Sequence, residues 1–422
     1  MRLRYCRPMM FLGLLLLGTA SDSRAEDFAI RDGDTVVFLG DSITAARTYG
    51  KIIENYTLLR YPRRKVCFVN AGQGGDTAAG GLKRLQRDVF DKHATLLTVA
   101  YGVNDIGWGL HADAEHKQKY LEGIRGIVEA CRKRDVRVYI CSAAVTAEDP
   151  DKAENGFLQK MCDEGMALSR SLGGKSIDVQ RTMRAIQKKV WKANEGITDK
   201  DKRATLHAVD GIHLNETGQL AMAFAILKGL GAPADVSSVR IDARESKLLA
   251  AKGCAVRDLT GKDGSLEFTR LDEGLPFNYG IFFGLHYRFV PIPDELNRYL
   301  LAVTNLPEGR YEVVADERGV GTFTADQLAA GVNIASTTTD VWQPGGPWNA
   351  QANVLQSLTE ARHHLLTAKM QAAAHRLAKP LPQELSQQAD HANEQIEAMQ
   401  RLAARPRPYH FVIRREAPPK KE

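Results

Sequence analysis

Short uninterrupted apolar runs alternate with longer amphipathic stretches between residues 35 and 230. The apolar runs are rich in β-branched and aromatic residues and occupy 35–39, 65–70, 96–101 and 136–142, with a weaker one at 176–179. Such runs are typical of strands buried on both faces of a parallel sheet. Helical periodicity marks the stretches at 49–59, 78–91, 117–133, 152–172, 181–193 and 216–230. The alternation predicts βαβ units whose right-handed crossovers place helices on both faces of the sheet.

The pattern changes after a Gly-Ala-Pro-Ala-Asp linker at 231–235. Short strands are predicted at 265–270, 298–304, 310–315 and 320–323, and long helices at 348–374 and 382–404. The second long helix has few large apolar residues, which predicts a solvated helix packed along one narrow stripe. The predicted units are therefore 26–233, a β-rich segment at 234–345, long helices at 346–405, and a basic, Pro-rich tail at 406–422 that we expect to be disordered.

The first 25 residues have the pattern of an export signal. Three arginines precede a short apolar stretch, and Ser-Arg-Ala at 23–25 offers a cleavage site. The stretch is too short to span a bilayer comfortably, and no later segment is long and apolar enough to do so. We expect an exported protein, periplasmic or extracellular, with no membrane span after cleavage; an N-terminal anchor that is kept is the alternative.

Charge and cysteine content exclude several classes of protein. The net charge of the 422 residues is +6, part of it in the leader, and this mild excess does not indicate nucleic-acid binding. Five cysteines follow the leader, none with zinc-ligand spacing, and we expect no disulfide framework. Cys67 and Cys141 lie in predicted buried strands. We expect no cofactor and no metal, and the sequence does not specify an oligomeric state.

Four polar motifs carry the candidate chemistry, and three of them follow predicted strands. In chain order they are Gly-Asp-Ser-Ile at 40–43, Asn-Ala-Gly-Gln-Gly-Gly-Asp-Thr at 70–77, Tyr-Gly-Val-Asn-Asp at 101–105 and Asp-Gly-Ile-His at 210–213. In open α/β sheets, active sites lie at the carboxyl ends of the strands. A serine there becomes a nucleophile only when a base takes its proton.

Together the four motifs resemble the signature blocks of the SGNH (GDSL-type) hydrolases over roughly residues 34–230. The resemblance implies a flavodoxin-like, three-layer α/β/α fold with a mainly parallel five-stranded sheet, to which a C-terminal β-rich and helical extension is added. It implies that Ser42 is the nucleophile, that His213 is the base, and that Asp210 orients the imidazole. The alternative for the last two residues is that they only cap the helix predicted from 216.

The same resemblance assigns three donors to an oxyanion hole. They are the backbone N–H of Ser42, the backbone N–H of Gly75 and the side-chain amide of Asn104, with Gly74 as a rival for the second donor. Asp41 and Asp105 are expected to shape their turns.

Other histidines in the sequence are candidates for the base or for metal ligands. His207 is a rival for the base. The pairs at 111 and 116 and at 363 and 364 are expected to be surface residues rather than metal ligands. Glycine-rich motifs at 72–75 and 80–81 fail the spacing of a dinucleotide-binding fingerprint.

The leading functional prediction is a serine esterase that removes small acyl groups, such as acetyl, from carbohydrate through an acyl-enzyme. One alternative is a non-catalytic carbohydrate-binding or assembly protein on the same scaffold, and another is a lysophospholipase or thioesterase of the same family. Aromatic residues at 275–283, Trp342 and Trp348 either roof the serine or, as we prefer, pack between domains. The leading prediction implies a small-molecule or carbohydrate ester as the substrate.

Overall fold

The computed structural model describes residues 28–262, 265–280, 283–337, 339, 345–374 and 383–416. The predicted leader at 1–25, the last residues of the tail and Trp342 lie outside the described residues. Among the described helices, none combines the length and the apolar character that a membrane crossing requires.

The first half of the chain forms a five-stranded sheet in the order β2-β1-β3-β4-β5. Every neighbouring pair is parallel. The strands are β1 (Thr35–Gly40), β2 (Cys67–Gly72), β3 (Leu96–Ala100), β4 (Arg137–Cys141) and β5 (Lys175–Ile177). The predicted fold class is confirmed, and each predicted strand is present within a few residues of its expected ends. Cys67, however, is exposed at the start of β2, where we expected a buried thiol.

Helices cover both faces of this sheet. In chain order they are α1 (Ser42–Ala45), α2 (Thr48–Arg60), α3 (Ala78–Lys83), α4 (Leu85–Asp88), α5 (Ala114–Arg132), α6 (Pro150–Ala153), α7 (Phe157–Ser171), α8 (Val179–Ala193) and α9 (Glu216–Gly229). Short 3₁₀ turns lie at Phe90–Lys92, Gly107–Gly109 and Lys200–Lys202. One core contains Phe38 with residues of α2, α8 and α9; the other contains Val37 and Leu39 with residues of α3, α5 and α7. Alternate residues of β1 thus enter opposite cores, as in a sheet buried on both faces.

Two further sheets follow. The first has the order β13-β10-β6-β7 and the second the order β12-β11-β14-β9-β8. Their strands are β6 (Asp235–Asp242), β7 (Lys247–Lys252), β8 (Cys254–Lys262), β9 (Ser265–Asp272), β10 (Arg298–Thr304), β11 (Arg310–Ala315), β12 (Arg318–Thr324), β13 (Val332–Asn333) and β14 (Tyr409–Arg415). The accompanying helices are α10 (Phe283–Tyr287), α11 (Ile292–Glu295), α12 (Ala325–Ala330), α13 (Pro347–Ala374) and α14 (Gln383–Ala403).

The expectation of a disordered tail is wrong for β14. This strand lies inside the last sheet and pairs antiparallel with β11 and β9. Tyr409, Phe411 and Ile413 are fully buried, and the residues between them are more exposed. That alternation is the signature of a half-buried strand, but the prolines and arginines around it dominate the composition. The predicted domain limits at 233, 345 and 405 remain predictions.

Trp348 belongs to the interior. Its ring is fully buried and packs against Tyr299, Tyr409 and Phe411. Its indole N–H donates to the carbonyl of Ala335 at 2.9 Å. It therefore contributes to packing, and does not roof Ser42.

A buried polar cluster attaches the α13–α14 hairpin to α2. The Glu54 carboxylate accepts hydrogen bonds from Arg362 at 2.6 Å, from His363 at 3.0 Å and from Gln400 at 2.8 Å. Burial alone opposes ionisation of Glu54, but the Arg362 guanidinium and these hydrogen bonds outweigh it and lower the pKa to about 2. The hairpin is therefore attached to α2 by an ionised, fully buried carboxylate. The expectation that His363 lies at the surface is wrong, because its imidazole is buried against Glu54.

We predict that Glu54→Gln destabilises the protein strongly. The change leaves the Arg362 guanidinium buried without its main counter-charge, and breaking a buried pair in this way costs about 3–5 kcal/mol. The matched control is Glu115→Gln, which breaks an exposed pair with Lys119 and should change stability very little, because solvent screens such pairs. Urea unfolding compares the two; equal small losses would show that the buried cluster contributes nothing.

Candidate active site

The turn after β1 presents Ser42 at the carboxyl edge of the sheet. Asp41 caps α1, and its Oδ1 accepts from the backbone N–H of Ile43 at 2.9 Å. Gly40 is required before it, because a Cβ there would lie 2.8 Å from the Ala100 carbonyl oxygen. Ser42 is half-buried as the first residue of α1.

Asp210, His213 and Ser42 form a chain of hydrogen bonds. The Asp210 carboxylate accepts from Nδ1 of His213 at 2.5 Å, and Nε2 of His213 lies 2.8 Å from Oγ of Ser42. A carboxylate is acceptor-only, so Nδ1 carries a proton and Nε2 of the neutral ring is left to accept the serine proton. Three residues predicted from two distant motifs are thus brought into contact in the order that Ser-His-Asp chemistry requires.

The loop before α9 fixes the orientation of this carboxylate. Oδ1 of Asp210 accepts from the backbone N–H groups of Ile212 and His213, both at 2.9 Å. The hydrogen bond from the His213 ring and these two backbone bonds lower the pKa of Asp210 to about 2. The carboxylate is therefore ionised at neutral pH. α9 itself is capped by Asn215, so helix capping does not account for this pair.

Gly75 and Asn104 lie on the loops that follow the two neighbours of β1. Gly75 follows β2 and has a left-handed backbone, with φ at 72°. Asn104 follows β3, and its Nδ2 donates to the carbonyl oxygen of Asp76 at 3.1 Å. Both loops leave the same sheet edge as the Ser42 turn. Their role as oxyanion donors remains a prediction.

An ion pair that the sequence analysis missed supports the second loop. Oδ2 of Asp76 accepts from the Arg84 guanidinium at 2.8 Å and from the Tyr101 hydroxyl at 2.9 Å. The same guanidinium donates to the carbonyl oxygen of Gly40 at 3.1 Å. Arg84 thus connects the loops after β1, β2 and β3. Its position inside an amphipathic helical stretch gave no signal in the sequence.

Two other acidic residues are buried below the site. Burial raises the pKa of Asp41 to about 6, although the Ile43 N–H partly offsets it. Burial likewise raises the pKa of Asp105 to about 7. Oδ1 of Asp105 accepts from the Ala78 N–H at 3.0 Å, whereas Oδ2 is buried without a partner among the described residues. Asp41 thus shapes its own turn, as expected, whereas Asp105 bonds the first residue of α3 on the neighbouring loop.

His207, the rival base, faces away from this chain of hydrogen bonds. It is buried, and its Nε2–H donates to the carbonyl oxygen of Val145 at 3.0 Å. Burial lowers the pKa of its imidazole. Its ring therefore makes a structural hydrogen bond, to Val145 rather than to Ser42.

A second histidine cluster lies on the loop that leads into α5. The ligand atoms of His111, Asp113 and His116 lie within 4.8 Å of one another. The two imidazoles are stacked at 13°, so their in-plane lone pairs do not converge on one point. Asp113 caps α5 and accepts from His116. Asp113 thus has a structural role as a helix cap, and the expectation that these histidines bind no metal stays a prediction.

Trp108 is the other residue that sequence reasoning missed. It lies between two glycines on the loop after Asn104, and half of its side chain is exposed. Its ring contacts His213 edge to face, with centroids 5.8 Å apart. The sequence did contain a signal for Trp108, because a large aromatic residue flanked by glycines lies close to the Asn-Asp motif.

Comparisons with known proteins give one family and several structural neighbours. Residues 38–221 match the model of the GDSL-like Lipase/Acylhydrolase family. Comparison with curated proteins yields no match. A gut microbial diltiazem-metabolizing enzyme has a similar structure, with 22% identity and a TM-score of 0.78 over 92% of this chain and 98% of its own. That similarity extends through the C-terminal sheets and shows a shared fold.

Two smaller proteins are similar to part of the chain. The acetylxylan esterase Axe2 of Geobacillus stearothermophilus is 18% identical, with a TM-score of 0.41, over 48% of this chain and 96% of its own. The α/β hydrolase enzyme LAE5, from the metagenome of Lake Arreo, is 21% identical, with a TM-score of 0.39, over 48% of this chain and 98% of its own.

We predict that Asp105→Asn becomes progressively more stable than the wild type as pH rises. The folded-state pKa of Asp105, about 7, exceeds the value of 3.8 for a free side chain. Between these values the folded protein binds more protons than the unfolded chain, so wild-type stability falls as pH rises, by up to ~1.4 kcal/mol per pH unit. Asparagine does not titrate and escapes this loss.

Urea unfolding at several pH values between 5 and 8 measures the difference. Asp242→Asn is the control, because backbone hydrogen bonds lower the pKa of the half-buried Asp242 below 3.8; that carboxylate is fully ionised throughout this range. A pH-independent difference between Asp105→Asn and the wild type would contradict the prediction.

Proposed function

We propose that this chain, an ester-cleaving enzyme whose residues 38–221 form a GDSL-like acylhydrolase domain, removes small acyl groups through an acyl-enzyme on Ser42. The observation that carries the proposal is the continuous hydrogen-bonded path from Asp210 through His213 to Ser42, at 2.5 and 2.8 Å. A hydroxyl in this position is ready to lose its proton to an imidazole whose tautomer is already set.

In the proposed mechanism, Oγ of Ser42 attacks the ester carbonyl while Nε2 of His213 takes the hydroxyl proton. The oxyanion of the tetrahedral intermediate receives hydrogen bonds from the N–H of Ser42, the N–H of Gly75 and the amide of Asn104. His213 then passes the proton to the leaving alcohol. Water attacks the acyl-enzyme by the same route, and Asp210 stabilises the imidazolium formed in each half-reaction.

The exposure of the site favours a large alcohol. The Asp210 and His213 side chains are 36% and 37% exposed, so a bulky alcohol such as an acetylated carbohydrate could extend over the surface. The cavity beneath the serine turn, lined by Asp41, Ile43 and Met222 among others, measures about 10 Å³, which is about the space of one water molecule. Ser42 does not line this cavity, so the small acyl group is proposed from the sequence and is tested below by acyl-chain length.

The second candidate is a lysophospholipase or thioesterase. The observation in its favour is a group of exposed apolar side chains on the loops of the site: Trp108, Leu110 and Val209 are 50%, 86% and 107% exposed. These could contact an acyl chain at the surface. For either substrate, we also propose that the enzyme is exported, as the sequence of residues 1–25 predicts.

We predict that Ser42→Ala lowers kcat for 4-nitrophenyl acetate by at least ~10⁴-fold, because the nucleophile is lost. Ser171→Ala, at an exposed helix position, is the matched control and keeps wild-type kcat. Equal rates for wild type and Ser42→Ala would reject the esterase hypothesis and favour the alternative of a non-catalytic carbohydrate-binding protein.

We also predict that kcat/KM falls as the acyl chain of 4-nitrophenyl esters grows from two to twelve carbons. A set of acetylated xylo-oligosaccharides then tests the alcohol side, with release of acetate as the readout. A preference for acyl chains of eight carbons or more would favour the lysophospholipase or thioesterase.

A further inference from the structure

The orientation of the Asn104 amide is determined by two contacts of opposite kind. Its Nδ2 donates to the carbonyl oxygen of Asp76 at 3.1 Å, and its Oδ1 accepts from the indole N–H of Trp108 at 2.8 Å. A carbonyl oxygen only accepts, and an indole N–H only donates. The two ends of the amide therefore cannot be exchanged without losing both hydrogen bonds.

This assignment leaves one amide hydrogen free. The NH₂ group of an asparagine has two hydrogens, and the carbonyl of Asp76 takes one of them. The other remains for the oxyanion that the proposed mechanism places on the amide of Asn104. Rotation by 180° would present a carbonyl oxygen to that oxyanion instead, and two electronegative atoms would face each other.

The loop around Trp108 adopts a costly conformation to make this contact. Trp108 has φ at 58°, and its neighbours Gly107 and Gly109 have φ at 51° and 96°. A non-glycine residue in the left-handed region is strained, because its Cβ crowds the backbone. Backbone bonds from Trp108 N to the Val103 oxygen at 2.9 Å and from Gly107 N to the Asn104 oxygen at 3.0 Å hold the turn closed.

Packing alone does not account for the side chain, because half of it is exposed. Its polar atom contacts Asn104, and its ring meets His213 edge to face at 5.8 Å. We propose that Trp108 is a positioning residue, which acts through Asn104 by holding the amide with its NH₂ toward the oxyanion. This inference rests on the proposed function, in which Asn104 is an oxyanion donor.

The test removes the N–H donor and retains an aromatic ring. Trp108→Phe should lower kcat about tenfold, the effect of roughly one hydrogen bond in the transition state, with KM changed less than twofold. Trp191→Phe is the matched control, because Trp191 is 45% exposed on α8, and its kcat should equal that of the wild type.

A double-mutant cycle with Asn104→Ala makes the test specific. Asn104→Ala should lower kcat about 10²–10³-fold, and adding Trp108→Phe should lower it no further, because the amide that Trp108 orients is gone. If the two substitutions lowered kcat independently, so that the fold-losses multiplied in the double variant, the inference would be overturned. It would also be overturned if Trp108→Phe changed only KM, because Trp108 would then be a substrate contact.

Should Trp108→Phe fold poorly by urea unfolding, 3-benzothienylalanine at position 108 replaces it. That residue keeps the bicyclic shape and exchanges N–H for sulfur. Wild-type kcat in the benzothienyl variant would overturn the inference, and a tenfold loss would support it. Failure of the proposed function looks different: wild-type kcat in Asn104→Ala removes the donor role of Asn104, and wild-type kcat in Ser42→Ala removes the nucleophile.

Discussion

The parallel pairing of β1 with β2 on one side and β3 on the other is the constraint on which the candidate site depends. Parallel strands end at the same edge, so three loops far apart in sequence leave the sheet together. Those loops carry Ser42, Gly75 and Asn104. The loop before α9 then supplies the fourth motif, and the hydrogen bond from Ser42 to His213 spans 171 positions of sequence.

Buried hydrogen bonds hold these loops in fixed positions relative to one another. The Arg84 guanidinium bonds both Asp76 and the end of β1, while Asp76 also accepts from Tyr101 at the end of β3. Arginine suits this place because its fork of donors reaches several acceptors at once. The side chains proposed to react are therefore supported by a layer of buried residues.

The first sheet and the main site residues could be predicted because their signals are local. Buried parallel strands appear as apolar runs, and three of the four motifs follow such a run directly. Arg84 and Trp108 could not be assigned in this way, since what they do depends on partners from other loops. An arginine in an amphipathic stretch is usually a surface residue, and only the folded structure shows that Arg84 is buried beside Asp76.

The second half was harder to predict for a different physical reason. β14 was missed because local composition, rich in proline and arginine, outweighed a short alternating pattern. β7 was missed because every residue in it is exposed, which leaves no hydrophobic pattern to detect. Strands of this kind are specified by the neighbours they pair with, and β14 pairs with β9 and β11, both more than ninety residues away.

The position of the C-terminal hairpin argues that it is a structural part of the enzyme. Helix α2 begins shortly after the serine turn, and Arg47 at its start is buried against His363 of α13 at 3.4 Å. Further along α2, Lys51 pairs with Glu360 at 2.6 Å and Glu54 with Arg362. Contacts one helical turn apart along α2 fix its rotation as well as its distance. Because α2 is connected to Ser42 through α1, the hairpin constrains the helix that supports the nucleophile, which a separately attached binding module would not do.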